Sequence, residues 1–122
     1  MDLQLTDLSP YYRRLELVEQ TAQQIIKDFG IHGQEITFSG NADTAYDELT
    51  SQIKPIIGEL MDKEYEKFLS ILYTIDLNEK TLAPETDGNT SDKQIDTITH
   101  LIIERELKKV VIQEHFRQNP ES

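Results

Sequence analysis

His100 and Glu104 lie four residues apart in a stretch of helical character, on one face of the same turn. An imidazole and a carboxylate so placed could hold a divalent cation, but a zinc site takes at least three protein ligands. The next histidine along, His115, is about four turns away, and His32 belongs to another segment. A di-iron helical bundle would need Glu-x-x-His on two helices. The residues three before His32, His100 and His115 are Phe29, Thr97 and Ile112, so that arrangement fails on inspection. In an acidic helix Glu and His reach this spacing by chance, and a surface pair is the expectation. No metal ligand and no cofactor site is assigned.

The loop TDGNTSD has the look of a calcium loop. With Gly88 at the sixth position of an EF-hand, the first position is Ala83 and the twelfth Gln94, and both key carboxylates are missing. No serine stands in a G-x-S-x-G turn, and no glycine loop is suited to phosphate. Tyr11, Tyr12, Arg13 and Arg14 form an aromatic-basic cluster that could line a small anion pocket. The commoner arrangement has Tyr11 in the core and the arginines paired with nearby acids. No catalytic residue is assigned.

These side chains belong to a chain of 122 residues, enough for one domain with one core. Twenty-three acids against 12 bases give a formal net charge of −11, a field that repels phosphate backbones and anionic headgroups. Nucleic acid and membrane are therefore not expected as partners. Nucleic acid would return only if Arg13, Arg14, Lys108 and Lys109 formed one continuous basic face. Cysteine is absent, which removes disulfides and thiolate chemistry. MDLQLTDL has no basic region and no long apolar run, so no signal peptide is read there, and no window reaches 18 consecutive apolar residues. A cytoplasmic location is the expectation.

The apolar spacing predicts an all-α bundle of four main helices plus one short helix, in a single domain from 1 to 122. Ser9-Pro10 opens the first helix, whose seam is Tyr11, Leu15, Val18, Ala22, Ile25 and Phe29, and Gly30 closes it as a left-handed residue. Residues 31–40 read as a structured loop that tucks Ile36 and Phe38 into the bundle. Asn41 caps a second helix with Tyr46, Leu49, Ile53, Ile56 and Leu60 inward, bent at Pro55 and loosened at Gly58. Met61, Tyr65, Phe68, Leu72 and Ile75 carry a second register. One helix spanning both would be about 50 Å long, so a break is expected around Asp62–Lys63. Asp76-Leu77-Asn78-Glu79 reads as a capping box for a short helix ending near Leu82. The polar stretch from Ala83 to Asp92 is a mobile loop, Ser91 starts the last helix, and 117–122 fray.

The last helix contains LIIERELKKVVI, two apolar triplets around a charged centre. The triplet centres Ile102 and Val111 are nine residues apart, about 900° at 100° per residue, so they face opposite sides. Leu107 leans toward the Val111 side. Either this helix touches different neighbours along its length, or its far half packs on a second chain. Leu107, Val110, Val111 and Ile112 are the candidate interface.

ITFSGNADTAYDEL, LYTIDLNEK and LIIERELKKVV together resemble a family of small, uncharacterised, cytosolic all-helical bacterial proteins, from about Ile36 to Val111. The resemblance implies a free-standing single-domain protein and brings no catalytic residues. The expected function is a non-enzymatic protein–protein interaction module, with a protein partner or a second copy in a homodimer. The alternative is a small enzyme or ligand-binding protein with a polar pocket near His100 or Tyr12 and Arg13.

Overall fold

A computed structural model describes residues 9–78, 80, 82 and 91–118, with backbone alone at 9–12 and 118. Four helices carry it: α1 (Ser9–Gly30), α2 (Ala45–Lys63), α3 (Tyr65–Ile75) and α4 (Ser91–Gln118), with a single 3-10 turn at Ala42–Thr44 before α2. No strand occurs among the described residues. The fold is the expected all-α bundle.

The apolar seams explain the packing. Ala22, Ile25 and Phe29 of α1 share one core with Leu49, Ile53, Ile57 and Leu60 of α2. Phe68, Ile71, Leu72 and Ile75 of α3 and Ile98 and Ile102 of α4 complete this core. The loop at 31–40 does as expected: Ile36 is buried and Phe38 packs on the core. Its backbone is pinned to α2, because Glu48 accepts from the Ser39 N–H at 3.0 Å and the Ser39 hydroxyl at 2.6 Å. The Ser39 hydroxyl, then Thr44, hold the Glu48 carboxyl below its ordinary pKa.

Several helix ends differ from the sequence expectation. The left-handed residue after α1 is Gly33 (φ 78°), not Gly30. Gln34 N–H donates to the Phe29 carbonyl at 3.0 Å and Gly33 N–H to Gly30, the six-to-one and five-to-two bonds of a Schellman end. The break between α2 and α3 falls at Glu64, whose extended backbone (φ −141°, ψ 65°) interrupts the helix one residue beyond Lys63. Asp76 is the left-handed residue (φ 68°) that ends α3, and Leu77 N–H reaches back to the Leu72 carbonyl at 2.8 Å; Glu79, the other half of the expected capping box, lies outside the described residues. A left-handed non-glycine residue carries a steric cost of about 1–2 kcal/mol. Arg105 offsets it by donating to both the Asp76 carboxylate (2.7 Å) and its carbonyl (3.2 Å). Lys80 and Leu82 are helical, and the rest of the expected short helix lies outside the described residues, as do 83–90 and the loop there. The helix runs on through Arg117 and Gln118, past the point where fraying was expected.

Tyr46, expected inward, is 50% exposed, because Ala45 takes that place on the buried side of α2, where Ile57 rather than Ile56 joins Leu49, Ile53 and Leu60. Gly58 gives α4 its close approach rather than slack: a Cβ there would stand 3.3 Å from the Ile95 methyl.

Candidate functional site

The last helix runs antiparallel to two neighbours in turn. Its first half lies along α2, with Lys54 paired to Asp96 at 3.0 Å and Tyr46 beside His100. Its second half lies along α1, where Lys109 meets Asp28 and Arg117 meets Glu16. The buried residues Ile98, Ile102, Glu106, Val110 and Glu114 are four apart. Each step of four turns the line by about 40°, so from Ile98 to Glu114 it winds about 160° round the helix. Contact with different neighbours along the length thus accounts for the changing face.

This winding line turns the second half of α4 inside out. Its covered side carries Glu106 (0% exposed) and Glu114 (6%) with Val110 between them. Away from that line it exposes Leu107, Val111, Ile112 and Phe116, all between 40% and 55% exposed and spread over about half of the helix circumference. Of the four residues proposed from sequence as a contact, Leu107, Val111 and Ile112 face outward. Val110 does not: it stands on the line from Glu106 to Glu114 and is covered by the chain itself. Phe116, whose ring meets His115 edge-on at 5.7 Å, joins the outward set.

The covered side holds an ionic cluster that joins three helices. Lys109 donates to the Asp28 carboxylate of α1 at 2.8 Å and points toward the Thr74 carbonyl of α3 at 3.5 Å. It lies 3.2 Å from a Glu106 oxygen, near enough for attraction but poorly aligned, so neither oxygen of the buried Glu106 has a well-formed donor. Gln24 donates to the other Asp28 oxygen at 3.0 Å, and His32 contacts the Thr74 hydroxyl at 2.7 Å. Burial, followed by its neighbour Asp28, pushes the Glu106 carboxyl up to about 8. About two turns beyond Glu106, Glu114 pairs with Arg117, which also reaches Glu16 at 3.5 Å.

The other candidates from sequence do not converge. His100 is bracketed by the Tyr46 hydroxyl (3.1 Å from Nδ1) and Glu104 (3.9 Å from Nε2) on an open surface. His32 and His115 lie elsewhere. Tyr12's side chain is outside the described residues, and Arg13 and Arg14 are exposed. Among the described residues no group of three or more His, Cys, Asp or Glu could hold a metal, and no helix is long and apolar enough to cross a membrane. A groove of about 370 Å³ runs between α1 and the second half of α4. Its lining mixes glutamines with Glu19, Lys27, Glu114 and Arg117, and includes no His, Ser or Thr. Lys109 is spent within the cluster, so it adds nothing to a basic face with Arg13 and Arg14.

No family model, no curated protein and no solved structure matches this chain.

Proposed function

We propose that this chain is a non-enzymatic protein–protein interaction module that binds a second copy of itself through the outward side of α4. The observation that carries this reading is the inversion just described. A helix that covers glutamates and displays Leu107, Val111, Ile112 and Phe116 leaves apolar area exposed to water at about 25 cal/mol per Å². Large apolar side chains exposed together on one helix segment are typical of interaction sites.

The spacing of the four residues supports a second copy as the occupant. Positions 107, 111, 112 and 116 read the same in either direction. An antiparallel pairing about a two-fold axis between Val111 and Ile112 places those two residues at the contact in both copies, while Leu107 and Phe116, nine residues and about 900° apart, fall on its two opposite edges. Four half-exposed side chains cannot cover the about 800 Å² per partner of a standard interface, so the contact is weak. The charge of −11 on each copy opposes it, and salt screens that repulsion.

A concentration series by light scattering tests the proposal. The mass should rise from 14.1 kDa toward twice that value at high micromolar protein, more readily in added salt. Ile112→Lys should stay monomeric while keeping its helical circular dichroism. A wild-type chain that remains at the monomer mass at high micromolar concentration removes the self-association.

A further inference from the structure

We propose that Asp28, Glu106 and Lys109 form a proton-controlled latch. One proton held by the two carboxyls keeps the second half of α4 seated on α1 and α3, and its loss loosens that half ahead of the rest of the bundle.

The geometry argues for the proton before any titration is considered. Two carboxyl groups, at 4% and 0% side-chain exposure, share one ammonium group. The Lys109 donors are directed to Asp28, to the Thr74 carbonyl and, obliquely, to Glu106. If both acids were ionised, the cluster would hold one uncompensated negative charge away from water, which is costly. A carboxylate also has no hydrogen to give. Both Glu106 oxygens lack a well-formed donor, which suits a carboxylic acid that donates to Asp28. With the proton in place the cluster is neutral and bonded.

The groups facing the cluster are Asp28 and Gln24 from α1, the Thr74 carbonyl from α3 with His32 behind its hydroxyl, and Lys109 on α4 itself. The Arg105–Asp76 pair, at 2.7 Å, lies close by on the α3–α4 joint. Beyond the cluster, Arg117 with Glu16 ties the end of α4 to α1 across a largely exposed surface, a weak tie. The cluster therefore governs how firmly the segment that displays Leu107, Val111, Ile112 and Phe116 is held.

The sign of the pH dependence follows. The unfolded or opened chain would lose the Glu106 proton near the ordinary carboxylate value, and the closed chain only near 8. Between the two the closed form binds more protons, so its stability falls as pH rises and levels off above the upper value.

Hydrogen exchange of the α4 amides, corrected for intrinsic rates, reads this directly. In the wild type the protection of amides 107–116 should fall about tenfold per pH unit between pH 6 and 8, while the amides of α2 keep theirs. Glu106→Gln, which can still donate to Asp28, should hold its α4 protection constant over that range. Carbon-detected titration of the wild-type Glu106 carboxyl should place its midpoint well above the ordinary glutamate range. A wild type with unchanged α4 protection, a Gln variant that loses protection as the wild type does, or a Glu106 carboxyl that titrates like an exposed glutamate would each overturn the latch. Self-association does not enter these measurements, which can be made on dilute monomer.

Discussion

From Ile95 to Ile103 the last helix hides its apolar residues, and from Glu106 to Phe116 it displays all of them but Val110. In the first half Ile98 and Ile102 are buried against the core, while Asp96, His100 and Glu104 face water. In the second half Glu106 and Glu114 are buried, while Leu107, Val111, Ile112 and Phe116 are exposed. Both halves continue one buried line at a spacing of four, so helix geometry does not separate them. What differs is the chemistry of the surface each half meets. The first shares the apolar core with Ile53 and Ile57 and sets Ile95 against Gly58 of α2. The second meets Asp28, Gln24 and Glu16 of α1. Burial of the first half stabilises the domain outright. Burial of the second half costs desolvation that only the ionic cluster and a proton can offset.

The largest expected effect lies in the first half. Ile102 is fully buried, and Ile102→Ala should destabilise the chain by about 2–5 kcal/mol through lost transfer energy and the cavity left behind. Urea denaturation followed by circular dichroism measures it. A loss below 1 kcal/mol would mean that the first half is not the stabilising one.

Lys109→Met probes the second half in the same experiment. Removing the one cation leaves Asp28 beside Glu106 without its partner. Breaking a buried pair costs about 3–5 kcal/mol, and because Lys109 is 18% exposed the expected loss lies at the low end, about 3 kcal/mol. A Met variant as stable as the wild type at neutral pH would show that the cluster contributes nothing to the seating of α4.

The contrast also explains what could be read in advance. The first half of α4, the α1 and α2 seams and the loop anchors Ile36 and Phe38 were legible because apolar periodicity and burial coincide there. The second half was not, because Glu106 and Glu114 stand at core positions and a glutamate in an acidic chain reads as solvated. A usable signal was nonetheless present. Glu106 lies four residues from both Ile102 and Val110, and Asp28 lies three after Ile25 and directly before Phe29, so each acid sits inside a buried line. The outward apolar residues at 111 and 112 were legible from the width of the triplet, and Leu107 from its lean toward the Val111 side. Val110 was misplaced because three consecutive residues cannot all share one side of a helix. The end at Gly33 rather than Gly30 follows from the Schellman bonds, which sequence spacing does not specify.

A smaller effect sharpens the first half. Thr99 is fully buried, and its hydroxyl has no hydrogen-bond partner. Threonine and valine have the same shape, so Thr99→Val removes an unsatisfied polar group without leaving a cavity. It should raise stability by about 1 kcal/mol, a few degrees in the thermal midpoint for a chain of this size. A destabilised Val variant would mean that the hydroxyl has a partner in solution, and that the first half also depends on a polar contact.

The smallest expected effect on stability bears most directly on function. Val111 is 40% exposed and belongs to the outward set. Val111→Ser removes apolar surface that the monomer does not bury, so the urea midpoint should move by no more than about 0.5 kcal/mol in stability. The same substitution sits beside the proposed two-fold axis, where each loss is counted in both copies, so the light-scattering mass should stay at the monomer value at concentrations where the wild type has begun to pair. If stability falls as it does for Ile102→Ala, Val111 is a core residue and the two halves are alike. If stability holds and pairing also holds, the outward face is merely wet, and the apolar residues there have no partner in a second copy.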